Sequence, residues 1–114
     1  MNPYQKKNKY HNKKIIVGGV KFDSQKEYNR YAELCMLQKT GLIFDLQRQV
    51  RFEVIPKTAT ERAAFYVADY VYTKADGKKI IEDCKSEMTK KLHDYILKRK
   101  LMKWRYPDYT FVES

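Results

Sequence analysis

The sequence predicts an α/β domain in which a central mixed β-sheet is flanked by helices, in the order hairpin, helix, three strands, helix, strand. Three observations carry this reading. Stretches with the 3.6-residue period of an amphipathic helix alternate with stretches of two-residue period. Gly and Pro punctuate the joints, at Gly18-Gly19, Gly41, Pro56, Asp76-Gly77 and Pro107. The chain has 114 residues, 43% hydrophobic and 33% charged, which is enough for one domain and one modest core.

Residues 1–12 read as a flexible basic arm and 13–114 as the single domain. The arm and its junction carry Lys6, Lys7, Lys9, Lys13 and Lys14 among Asn, Gln and Tyr. Ile15-Ile16-Val17 and Val20-Lys21-Phe22 flank Gly18-Gly19, the signature of a hairpin with a two-residue primed turn. Ser24, with Glu27 three residues later, opens a helix, and Tyr28, Tyr31, Leu34, Cys35 and Leu37 recur at helical spacing up to a stop at Gly41. Gln47–Ile55 is a strand with Val50, Phe52 and Val54 on one side. Ala64–Thr73 is a second strand, joined through Asp76-Gly77 to a third at Lys79–Lys85. Thr89–Arg105 is the second helix, with Leu97, Leu101 and Trp104 as its apolar stripe and Lys91, Lys98, Lys103 and Arg105 as its basic face. Tyr109–Val112 is the last strand.

The net charge of +10 is a strong positive field for so short a chain, and its usual partner is a polyanion such as nucleic acid. Cys35 and Cys84 stand alone, which excludes a zinc knuckle or a CxxC pair and fits a reducing cytosol. No apolar run approaches the roughly 20 residues of a membrane span, and the first residues lack the apolar core of a signal peptide. A Gly-rich phosphate loop, an HExxH motif and a G-x-S-x-G elbow are all absent. His11 and His93 are the only histidines, which argues against a histidine-based metal site.

Chemistry concentrates in the second and third strands. In Ile80-Ile81-Glu82-Asp83-Cys84-Lys85 alternation puts Ile81, Asp83 and Lys85 on one face and Ile80, Glu82 and Cys84 on the other. Alone, an acid and a lysine two residues apart read as an ordinary ion pair. Asp69 adds weight, because it is a lone acid in the apolar strand Phe65–Tyr72, where a charge is costly unless paired or metal-bound. If the hairpin register matches, Asp69 and Asp83 converge. Two carboxylates suit Mg²⁺, with Mn²⁺ as a substitute. Lys85 could stabilise a phosphorane, or position and deprotonate the attacking water. Glu27 reads first as the capping-box partner of Ser24. A role in the site requires the first turn of its helix to pack beside Asp69. Lys13, Lys14, Gln49, Lys91, Lys98 and Lys100 are candidates for nucleic-acid contact, with a solvated basic face as the plain alternative. Tyr66, Tyr70 and Tyr72, on one strand face, read as core aromatics in preference to a base-stacking platform.

These residues resemble the PD-(D/E)XK nuclease superfamily. Asp69 matches the first acid, Asp83-Cys84-Lys85 the (D/E)-x-K element, and Glu27 the acid on the first core helix. Ala68 stands where Pro often precedes the first acid, and Ser86 where Gly often follows the lysine. Neither change removes a candidate ligand. More closely, Val20–Glu27, Tyr66–Tyr72, Ile81–Lys85 and Leu97–Leu101 resemble a family of small, largely phage-encoded proteins of unknown function. The resemblance implies a restriction-endonuclease-like core and a Mg²⁺-dependent endodeoxyribonuclease leaving a 5′-phosphate. Asp69 and Asp83 would be metal ligands, and Glu27 a further ligand, directly or through water. It implies a double-stranded or branched DNA partner, such as a Holliday junction cut by a homodimer, in the cytoplasm of a phage-infected or lysogenic bacterium. The alternative is a non-catalytic basic nucleic-acid-binding protein on the same fold.

Overall fold

The computed structural model describes residues 14–114; the arm at 1–12 and Lys13 lie outside them. β1 (Ile15–Val17) and β2 (Val20–Phe22) pair antiparallel. Gly18 and Gly19 both take positive φ, 58° and 82°, as a two-residue primed turn demands. α1 (Gln25–Lys39) begins at Ser24, whose hydroxyl accepts the Glu27 amide at 3.1 Å. It ends on a Schellman motif. Gly41 turns left-handed at φ 81°, and the amides of Gly41 and Leu42 donate to the carbonyls of Gln38 and Leu37.

The main sheet has the order β3-β4-β5-β6. β3 (Ile43–Ile55), β4 (Ala64–Lys74) and β5 (Lys79–Asp83) form an antiparallel meander, and β6 (Tyr109–Glu113) adds parallel to β5. α2 (Glu87–Lys90) and α3 (His93–Arg105) make the crossover between β5 and β6. Neighbours Ile80 and Ile81 on β5 point into two different cores. Ile80 packs with Tyr70, Tyr72 and Leu34 of α1, and Ile81 with Phe52, Tyr66, Tyr95 and Met102, the last two from α3. The sheet is therefore covered on both faces, which is why β5 is buried from Ile80 to Asp83. The expected order of hairpin, helix, three strands, helix, strand is the order of the fold, a mixed sheet between helices. Among the described residues no helix is long and apolar enough to cross a membrane.

Five expectations are corrected. β3 starts at Ile43 and not at Gln47, because a bulge between Phe44 and Gln47, with Asp45 at φ 57°, interrupts the pattern without ending the strand. β5 stops at Asp83. The helix expected over Thr89–Arg105 is two: Ser86 caps α2 through the Thr89 amide, and extended Leu92 separates it from α3. Lys91 is thus off the helix that carries Lys98, and Arg105 is engaged by Glu53 at 3.1 Å, so the proposed common basic face is not formed. Finally, α3 is rotated. Tyr95 and Met102 are buried and Leu101 half-buried, while Leu97 and Trp104 are 60% and 74% exposed.

One irregularity shapes the site. Tyr66, Ala68, Tyr70 and Tyr72 share a parity, so regular alternation would put them on one face. All are buried, as core aromatics should be, yet Tyr66 and Ala68 pack on the α3 side and Tyr70 and Tyr72 on the α1 side. The alternation changes phase at Asp69. On the facing strand Gln49 has φ 52° and is skipped in the ladder between Arg48↔Tyr70 and Val50↔Ala68. A left-handed residue turns the strand about its axis, so Arg48 lies over Phe22 and Tyr31 while Val50 joins the opposite core.

Candidate active site

The ladder between β4 and β5 runs Thr73↔Lys79 to Tyr70↔Glu82, and one further step puts Asp69 opposite Asp83. Their side chains replace the missing ladder bonds. Asp83 Oδ1 accepts the Asp69 amide at 3.1 Å, and Asp69 Oδ2 accepts the Cys84 amide at 2.8 Å. Lys85 Nζ lies 3.5 Å from Asp69 Oδ2 and 3.8 Å from Asp83 Oδ1. The three residues picked out in the sequence are thus brought together. Asp69 and Asp83 are 5% and 0% exposed, and Asp83 Oδ2 is buried with no hydrogen-bond partner among the described residues.

Glu27 arrives from the other side. The Tyr70 hydroxyl donates to the Glu27 carbonyl at 2.6 Å, pinning the first turn of α1 to β4. Its carboxylate is buried and faces Arg48 at 3.4 Å. Burial, and then the charges of Asp69 and Asp23, push the Glu27 carboxyl up despite Arg48. The capping role and the place near Asp69 therefore coexist. Burial also pushes Asp83 up, against the pull of Lys85 and the Asp69 amide. Burial pulls Lys85 down, but Asp83 and Asp69 outweigh it and hold the ammonium above its ordinary range. A lysine so held brings a positive charge to the two carboxylates.

A cavity of about 250 Å³ opens between the start of α1 and the segment after β5. Ser24, Lys26, Glu27, Lys85 and Ser86 line it, and Lys26 Nζ closes one side by donating to the Lys85 carbonyl at 3.0 Å. Asp69 and Asp83 are not part of its lining; Lys85, in contact with both, is.

Does this donor set fit a divalent cation? Among the described residues no three His, Cys, Asp or Glu side chains gather at metal-binding reach. Two carboxylates do converge, and the orphaned Asp83 Oδ2 is an acceptor lacking a donor. That fits an ion such as Mg²⁺, which takes one or two carboxylates and keeps several waters. Glu27, held by Arg48, would join through water.

Sequence reasoning placed Gln49 among nucleic-acid contacts, but its amide Nε2 donates to Asp69 Oδ1 at 3.3 Å. It also missed Arg48, which pairs with Glu27, and Glu113, which sits beside Asp83 on β6 and is held by Tyr95 and Arg99. Their only signal was alternation, which the phase change at Asp69 scrambles. Glu82 was set aside as facing away from Asp83, and it does, accepting from Arg30 and Tyr72 on the α1 side. Lys14, Lys91, Lys98 and Lys100 are exposed.

The Gln49 backbone gives a direct test. Gly tolerates φ 52° where other residues pay for it. Gln49→Gly is therefore expected to hold stability level or raise it by up to about 1 kcal/mol in urea denaturation, and Gln49→Ala to lower it. A loss with Gly as large as with Ala would show that the side-chain bond, not the backbone, sets the cost.

No protein of curated function and no solved structure matches the chain. A family model does match, over residues 7–113, and the chain belongs to that family, described as "Protein of unknown function (DUF1064)".

Proposed function

We propose that this chain is a divalent-metal-dependent endodeoxyribonuclease of the PD-(D/E)XK kind. The observation that carries the proposal is the convergence of Asp69, Asp83 and Lys85, with a buried Asp83 oxygen left without a donor. Asp69 and Asp83 would hold the cation, and Glu27 would join them through water. When bound, Mg²⁺ or Mn²⁺ acts as a Lewis acid at the scissile phosphate and lowers the pKa of the attacking water. The Lys85 ammonium, in contact with both Asp69 and Asp83, would stabilise the charge gathering on the phosphorane. Gln49 fixes the orientation of the Asp69 carboxylate. Lys14, Lys91, Lys98 and Lys100 hold the DNA backbone without reading sequence. The product carries a 5′-phosphate. The substrate is double-stranded or branched DNA, with Holliday junctions cut by a homodimer in the cytoplasm of a phage-infected or lysogenic bacterium.

The test is cleavage of plasmid, single-stranded and four-way-junction DNA with Mg²⁺ or Mn²⁺. The wild type should cut at least one, while Asp83→Ala and Lys85→Ala should lose activity by at least about 100-fold and still bind. A wild type that cuts none of them with either metal overturns the proposal. One observation favours a rival, a binding protein on the same fold: Lys85 already contacts both acids and offsets one of their two charges without a cation. For that rival neither metal should raise the melting temperature.

A further inference from the structure

We propose that the outward face of α3 is a contact surface for single-stranded nucleic acid, on which Trp104 stacks against an unpaired base. The proposal rests on the nucleic-acid part of the reading above and not on its hydrolytic part. Tyr95 and Met102, seven residues apart, mark the buried line of the helix. Leu97, Lys100 and Trp104, at spacings of three and four, form a line on the opposite side. Trp104 is 74% and Leu97 60% exposed. Scattered exposed apolar residues are ordinary. Here, however, the chain's single tryptophan lies in solvent next to lysines that form no ion pair among the described residues.

That charge selects the occupant. Arg99 and Arg105 are drawn off to Glu113 and Glu53, but Lys98, Lys100 and Lys103 are exposed, and Asp94 is the sole acid on the helix. A second copy would bring the same lysines face to face, which like charges oppose. A bilayer asks for a broad apolar face, and this one is a narrow line between lysines. A nucleic-acid strand offers phosphates to the lysines and flat rings to the indole. In a duplex those rings are stacked inside, so the indole meets a base only where pairing is broken. The substrate class is thus DNA with unpaired segments, as at a branch point or a single-stranded gap.

Because Trp104 is the only tryptophan, its fluorescence reports this surface alone. The full chain, in EDTA to prevent cleavage, is titrated with a thymidine oligonucleotide and with a duplex of equal length. The oligonucleotide should quench the emission. Trp104→Ala should weaken oligonucleotide binding by roughly 5- to 100-fold, Trp104→Phe should restore most of it, and duplex binding should stay within about twofold. Lys100→Gln should lower the slope of log affinity against log salt by about 0.7. Trp104 is exposed, so the variants should melt with the wild type, and circular dichroism checks this. No quenching by the oligonucleotide, or unchanged oligonucleotide binding by Trp104→Ala, overturns the proposal. So does an emission that shifts blue with protein concentration alone, which would assign the face to a second copy. Quenching by anionic vesicles but not by the oligonucleotide would assign it to a membrane and overturn it likewise. If the oligonucleotide quenches but no DNA is ever cut, the nuclease reading fails and this one stands.

Discussion

Asp83→Asn should abolish cleavage and, in EDTA, make the fold more stable. The side chain is fully buried beside Asp69 and Glu113, and burial raises its carboxyl above the ordinary value of 3.8. A group raised in the folded state stabilises below its unfolded pKa, and that contribution is lost as pH rises through the folded one. At neutral pH the wild type thus carries a charge its surroundings disfavour. Asn keeps an oxygen for the Asp69 amide and puts a neutral NH₂ where the orphaned Oδ2 stood. The gain should show as a rise of a few degrees in melting temperature, should fade as pH falls through the raised folded carboxyl, and should be gone below about pH 3.8, where the folded and unfolded wild type are both neutral. Excess Mg²⁺ or Mn²⁺ should stabilise the wild type by about 1–3 kcal/mol and leave Asp83→Asn unmoved. A variant less stable than wild type in EDTA, with the metal response intact, would mean that Asp83 is a structural ion-pair member and not a ligand.

The largest loss of stability should follow Arg30→Ala. Glu82 is completely buried and accepts from Arg30 Nε at 2.6 Å, Arg30 Nη2 at 2.9 Å and the Tyr72 hydroxyl at 2.6 Å. This cluster ties α1 to the central strand. Removing the guanidinium leaves a buried carboxylate with one donor. Such breaks cost roughly 3–5 kcal/mol, and the 27% exposure of the Arg30 side chain puts this one near 3. The pair also sets an acid limit. Burial alone would raise Glu82, but the bonds from Arg30 and Tyr72 outweigh it and the carboxyl lies below its ordinary 4.5. A depressed acid stabilises above its unfolded pKa, and that is lost as pH falls through the folded one. The wild type should therefore lose stability in urea below about pH 4.5, and Arg30→Ala should lose less over the same interval. Equal acid sensitivity in both would place the acid limit elsewhere. Arg30→Ala with Glu82→Gln should recover part of the loss, because a neutral amide is cheaper to bury unpaired.

Much of this was legible in the chain. Ser24 and Gly41 bound α1 as their cap chemistry dictates, and Gly18-Gly19 and Asp76-Gly77 make the turns that such pairs favour. The spacing of Asp83 and Lys85, with one lone acid a hairpin away, marked the centre of the candidate site. These features are local, and a window of a few residues holds all the physics they need.

Other features were settled by contacts between distant segments. α3 carries two apolar lines, Tyr95–Met102 and Leu97–Leu101–Trp104, and periodicity cannot choose between them. The fold buries the first because Tyr95 finds Glu113 on β6 for its hydroxyl, leaving Trp104 outside. The phase change at Asp69 was equally hidden, because it depends on Gln49 adopting a left-handed backbone 20 residues earlier on the facing strand. So the sequence alone determined the order of the strands and of the two longer helices, and which acids and lysine could act together. Tertiary structure decided which way each helix and strand faces, since a side chain's face is fixed by what packs against it and not by its own spacing.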